Sequence, residues 1–186
     1  MSDSGSKFFL LTLWYRPVYS MSCLLSAGKG HFMALMVAAF FGVVQSSRLV
    51  FLQTEPIFLY LLAGGLAGIM CLYLFGWLVR NFGRWFGADA TQRDVRVALG
   101  LGMLPWMLAF AIIAILLYIG VSDVMIAEYA SVISVIFVYS CIILVLSLSV
   151  ALQISVIKTF ICLVVTVLFS VFPLTLLAQV LTGLIR

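Results

Sequence analysis

Charge is what this 186-residue chain has least of. Six acids, ten lysines and arginines and one histidine leave only 9% of it charged, against about 25% in an ordinary soluble domain. Acid–base, paired-carboxylate and metal chemistry all need Asp, Glu, His or Cys in clusters. The sequence has no such cluster, no HExxH, no GxSxG and no phosphate-cradling glycine loop. His31 is the single histidine, so a serine nucleophile would have no other imidazole to activate it. Cys23, Cys71, Cys141 and Cys162 stand far apart inside apolar runs with no CxxC pair, and read as small buried hydrophobes. Four prolines, and no proline-rich linker, low-complexity tract or internal repeat, argue for one domain. The expectation is a protein that is not an enzyme and uses no cofactor or metal.

Apolar surface, by contrast, is abundant: 66% of residues are hydrophobic and the mean hydropathy is +1.30. That exceeds what a soluble fold covers, and it rules out intrinsic disorder. A hydrocarbon layer about 30 Å thick takes roughly 20 residues of helix to cross. Five runs qualify, at 31–51, 57–79, 95–119, 129–152 and 159–185. Backbone groups in hydrocarbon must be paired within their own segment unless a barrel closes, so runs of this length are helices. The expected fold class is all-α, a polytopic membrane protein built as a bundle of five transmembrane helices.

Residues 1–30 read as a cytoplasmic N-terminal segment leading into a transmembrane domain at 31–186. Lys7 and the apolar residues after it resemble the start of a signal peptide, but Arg16 and Pro17 interrupt them and no small-residue cleavage site follows. They are therefore read as mature chain. Residues 17–27 predict an interfacial amphipathic helix, with Pro17 in its first turn and Trp14, Tyr15 and Tyr19 at headgroup level. Gly28, Lys29 and Gly30 form the turn into the first span. Counting basic residues on alternate sides puts Lys7, Arg16, Lys29, Arg80, Arg84, Arg93, Arg96 and Lys158 on one side and only Arg48 and Arg186 on the other. Eight against two places the N-terminus in the cytoplasm and the C-terminus outside. The net charge of +4 then matches anionic lipid headgroups, and nucleic acid is not an expected partner.

The polar stretch from Arg80 to Arg96, RNFGRWFGADATQRDVR, is the candidate contact surface. Arg80, Arg84, Arg93 and Arg96, with Trp85 dipped into the interface, suit lipid phosphates or an acidic membrane-protein partner; the alternative is that the arginines only set topology and snorkel. Asp89, Ala90 and Thr91 stand where an N-cap for the third span is expected. In the second span Gly64, Gly68 and Gly76 recur at multiples of four, a spacing that lets another helix approach closely. The face serves either self-association or an internal contact with Ala98 and Gly102 of the third span. Serines 131, 134, 140, 147 and 149 in the fourth span, with Thr159, Thr166 and Ser170 in the fifth, read as interhelical hydrogen-bonding groups. Pro105 and Pro173 are expected to bend the third and fifth spans. A second class of function follows from those kinks: a permease-like or lipid-handling protein with a pocket bounded by Pro105, Tyr139 and Pro173. Charge is absent from the span centres, which argues against ion-coupled transport.

WYRPVY near the start, QSSRL at the end of the first span, GWLVRNFGRWFGADATQRDVRVALGLGMLPW and ALQISVIKTF together resemble the Yip family, the membrane domain of Ypt/Rab-interacting proteins, in its short bacterial form. The resemblance implies five spans, a cytoplasmic N-terminus and a bacterial inner membrane. Larger members of that family are associated with small GTPases through a long polar N-terminal region. With only about 30 residues there, this chain is not expected to recruit one.

Overall fold

A computed structural model describes residues 9–50 and 57–185, with side chains over 12–47, 58–122 and 125–170. Among these residues there are nine helices and no strand. They are α1 (Phe9–Tyr15), α2 (Pro17–Ser26), α3 (His31–Val50), α4 (Ile57–Trp85), α5 (Gln92–Gly102), α6 (Leu104–Tyr118), α7 (Asp123–Glu128), α8 (Ala130–Leu152) and α9 (Val156–Ile185). Three stretches are long and apolar enough to cross a bilayer: Phe58–Trp85, Gln92–Tyr118 and Ala130–Leu152. Two shorter apolar helices, His31–Ser47 and Val156–Ser170, accompany them.

The helices end where the backbone can reverse. Gly28 (φ +61) and Gly87 (φ +85) sit just past α2 and α4 in left-handed conformations that a side chain would oppose. After each, two amides reach back to close the last turn: Gly28 to Leu25 and Lys29 to Leu24, then Gly87 to Arg84 and Ala88 to Gly83. These turns gather the end of α2, the start of α3, the end of α4 and the start of α5 with Lys29, Arg84 and Arg93. We call this the basic end. The far end holds the close of α6, α7 and the start of α8.

Small residues set the closest helix contacts, as they must where apolar side chains gain nothing from leaving an apolar solvent. Gly64 and Gly68 of α4 abut Ala38, Gly42 and Ser46 of α3. The close approach is thus made inside the chain, with α3 and not with Ala98 and Gly102. Gly100 of α5 lies on Ala34, where an added Cβ would stand 2.8 Å from the Ala34 Cα. Gly102 lies on Leu144 and Ser147 of α8. The core that results includes Met21, Val79, Val95, Val97, Leu101, Leu148 and Leu152, all toward the basic end.

Several expectations are corrected. The stretch from Arg80 to Arg96 is not a loop. α4 runs on to Trp85 and α5 starts at Gln92, so only residues 86–91 connect them. The helix extends because Arg84 in its last turn suits the helix dipole and Gly87 supplies the stop. The third span is two helices with a turn at Met103, immediately before Leu104 and Pro105. Pro105 sits in the first turn of α6, where its missing amide leaves nothing unpaired.

α2 (Pro17–Ser26) forms where a helix over 17–27 was expected. Ser20 and Met21 are fully buried and α2 packs on α8, while Trp14, Tyr15, Val18 and Tyr19 stay exposed. Residues 9–15, given no element of their own by the sequence, form α1. The Ser20 hydroxyl donates to the Thr12 hydroxyl at 2.9 Å. Eight residues of straight helix would separate these groups by about 12 Å, so the chain folds sharply at Arg16–Pro17. Proline disfavours helical dihedrals in the residue before it, and Arg16 has φ −138° and ψ 61°.

Apart from Ser20, which bonds across to α1, and Ser147, whose hydroxyl has no partner, the buried hydroxyls of α8 and α9 bond to carbonyls one turn back. Ser140 donates to Ile136, Thr159 to Ser155, Thr166 to Cys162 and Ser170 to Thr166. A hydroxyl that can reach the carbonyl a turn back needs no partner helix. Interhelical bonds come from other side chains. Tyr139 of α8 donates to the Trp14 carbonyl at the Arg16–Pro17 bend, and the Cys162 thiol donates to Val79 O at 3.5 Å.

α9 departs most from a simple up-and-down bundle. Cys162 meets Val79, and Phe169 packs on Phe82 with ring centroids 5.2 Å apart. In an antiparallel pair those two phenylalanines would lie about 15 Å apart along the axis. α9 therefore crosses α4 instead of running back along it. Pro173 falls within the helical run of α9, but its side chain, like that of Arg48, lies outside the described residues, as do Lys7 and Arg186.

Candidate functional site

The basic end divides its cations into fastened and free. Arg80, half-buried on α4, donates from Nε to Ala90 O at 3.0 Å, so it ties the α4–α5 connection to the helix before it. Arg93 donates to Gly28 O at 2.6 Å. That bond joins the first turn of α5 to the α2–α3 turn, 65 residues away in sequence. Both guanidiniums thus bridge segments through backbone carbonyls of the turns that connect helices.

Arg96 lies flat on α4. Its Cζ is 4.2 Å from the centroid of the Tyr73 ring, and its methylene stem crosses Gly76, where an added Cβ would meet Arg96 Cγ at 2.8 Å. Gly76 therefore makes room for an arginine, a different task from that of Gly64 and Gly68. An arginine over an aromatic face gains cation–π attraction and keeps its charge. His31, at the start of α3, lies within electrostatic reach of both Arg93 and Arg96. Its Nδ1 and the Nε of Arg96 are buried without a hydrogen-bond partner.

Of the two acids in this connection and the first turn of α5, Asp89 is exposed and Asp94 is bound to the helix cap. Thr91 caps α5: its hydroxyl oxygen accepts from the Asp94 amide at 3.2 Å and its hydroxyl donates to the Asp94 carboxylate at 2.6 Å. This ties the one acid of the first turn of α5 to the cap. Arg84 and Trp85 stand outward. Arg84 is exposed and Trp85 is 73% exposed, its ring edge-on to Phe82 at 4.9 Å. Lys29 and Lys158 are exposed on the same end.

Of the five residues singled out for contact, the structure thus brings Arg93 and Arg96 together beside His31, ties Arg80 into the connection, and leaves Arg84 and Trp85 clear. Tyr73 as the platform for Arg96, and the Gly28 carbonyl as the anchor for Arg93, had no signal in the sequence. Both depend on how distant helices dock. Tyr73 reads as one more aromatic in an apolar run. Among the described residues, no three His, Cys, Asp or Glu side chains come together as a metal site.

The α6–α8 pair shows the opposite character. Trp106 donates from Nε1 to Phe137 O at 3.4 Å and stacks on the Phe137 ring at 4.1 Å. Beyond this clasp lies an apolar cavity of about 220 Å³ between α6, α7 and α8. Its lining does not include Pro105 or Tyr139, and α9 packs on α4 and α8, so the pocket expected between the third, fourth and fifth spans is displaced toward the far end.

No family model, no curated protein and no solved structure matches the chain.

Proposed function

We propose that this chain is an integral membrane protein of five spans that acts without catalysis, as a scaffold or accessory subunit holding an acidic protein partner or anionic lipid headgroups at its basic end. The observation that carries the reading is the division of cations. Arg80, Arg93 and Arg96 are committed to carbonyls and to the Tyr73 ring. Arg84, Trp85 and Lys29 are left exposed beside them. A fixed layer of charge with a free arginine and an exposed tryptophan on top suits an anionic surface at headgroup level. In this proposal α3 and a steeply tilted α9, which crosses α4 near Val79 and Phe82, complete the set of spans, the basic end faces the cytoplasm of a bacterial inner membrane, and the chain is of the short Yip type suggested by its arginine, glycine and Pro-Trp landmarks. The proposal includes no small GTPase, nucleic acid or cofactor.

The test separates contact from architecture. The double variant Arg84→Glu with Trp85→Ala removes the free pair without touching the bonds of Arg80 and Arg93. Purified in mild detergent, it is expected to retain severalfold less anionic lipid or co-purifying protein than the wild type, while still unfolding cooperatively at a melting temperature lowered by a few degrees at most. Unchanged retention of both would count against the proposal.

A further inference from the structure

We infer that the cavity between α6, α7 and α8 is a binding site for one acyl chain of a membrane phospholipid. Ala109, Ile112 and Leu116 of α6 form one wall, Ile133 and Ile136 of α8 the other, and Met125 of α7 closes the far end. The volume of about 220 Å³ is room for about seven waters. Water would find almost nothing to bond, because the lining is hydrocarbon and thioether with only the Tyr129 hydroxyl able to offer a polar group. Apolar cavities of this kind stay dry and take apolar guests.

The setting selects the guest. α6 and the first half of α8 belong to two of the three stretches able to cross a bilayer. Ile112 and Ile136 on the walls are exposed and lie well inside their helices, so the cavity is open along the side of the bundle, toward hydrocarbon. α7 adjoins the cavity through Met125 and Ile126. Tyr129, 63% exposed at the lip, stands where an amphipathic ring marks the headgroup level. A chain entering from the bilayer would therefore lie between α6 and α8, with its head beside Tyr129.

The wedge follows from the sequence. α6 starts afresh at Met103, and the Trp106–Phe137 clasp holds α6 to α8 near its base. Further out nothing as small as Gly100 or Gly102 draws the helices together, so they stay apart. The site is independent of the basic end, and zwitterionic lipid keeps the two readings distinct.

The experiment uses the full chain in detergent micelles doped with phosphatidylcholine, released and weighed by native mass spectrometry. The wild type is expected to keep one phosphatidylcholine per chain. Ala109→Phe fills the cavity from α6 and Ile133→Trp from α8, and each is expected to cut that occupancy at least fivefold. Leu66→Trp, on the exposed face of α4, serves as the control and should leave occupancy unchanged. A melting curve establishes that each variant is folded, and two filling variants on different helices guard against the loss of one. No retained lipid in the wild type, equal loss in the Leu66→Trp control, or retention that survives both filling variants would overturn the inference.

Discussion

α5 and α6 lie end to end in one apolar stretch, yet they are opposites. Of the eleven residues of α5, seven are buried, Val95 and the unbroken run from Val97 to Gly102. Of the fifteen residues of α6, only Leu104 and Pro105 are. The more polar helix is the one inside. α5 opens with Gln92, Arg93 and Asp94, and its buried part is built from Val, Ala, Leu and Gly. α6 is almost wholly Leu, Ile, Phe and Ala. In water the assignment would be reversed, because large apolar side chains would seek the core. In lipid there is no gain in hiding them, and burial goes to the helix whose small residues let neighbours close in. Gly100 on Ala34 and Gly102 on Leu144 are where that happens.

The contrast can be broken most severely at Gly100. Gly100→Leu would drive a side chain into the α3 backbone, and a loss of about 3 kcal/mol is expected for overpacking so close a contact. Ile115→Leu in α6, at a site 57% exposed, should change stability by less than about 0.5 kcal/mol. Thermal unfolding of both variants in the same detergent checks the pair. Shaving volume should sort the same way: Val97→Ala, at a site 1% exposed, is expected to cost about 1 to 2 kcal/mol through the space it leaves, whereas Ile112→Ala on the exposed side of α6 leaves no enclosed space. Thr91→Ala tests the start of α5 alone. Loss of a side-chain cap costs about 1 kcal/mol, and amide exchange at Asp94 and Val95 should quicken while α6 stays as it was. The smallest effect is expected from Arg96→Ala, about 0.5 to 1 kcal/mol for one cation–π contact. Tyr73→Leu should reproduce it, and the double variant should add little more.

The helical runs were largely legible because hydrophobic length reports helices directly: 31–51, 129–152 and 159–185 lie close to α3, α8 and α9. Where a helix was amphipathic or short the reading faltered. α4 runs six residues past the apolar stretch because Arg80, Asn81 and Arg84 are good enough helix residues in a polar setting. α1 and α7 were missed for want of length. The partner of a glycine face cannot be read from spacing, which says only that something comes close; Gly64 and Gly68 meet α3, and Gly76 meets an arginine stem. Arg80, Arg84, Arg93 and Arg96 looked equivalent in the sequence. What separates them is the position of the Gly28 and Ala90 carbonyls and the Tyr73 ring, and those are set by docking.

The contrast between the two helices is that α5 is enclosed by protein while α6 meets lipid. The direct measurement is labelling of the chain in its native membrane with a small lipid-soluble carbene precursor, followed by peptide mapping at residue resolution. Heavy labelling from Leu108 to Ile119 and along the first half of α8, with residues 95–102 spared, is the result predicted. Equal labelling of residues 95–102 and 108–119 would contradict it.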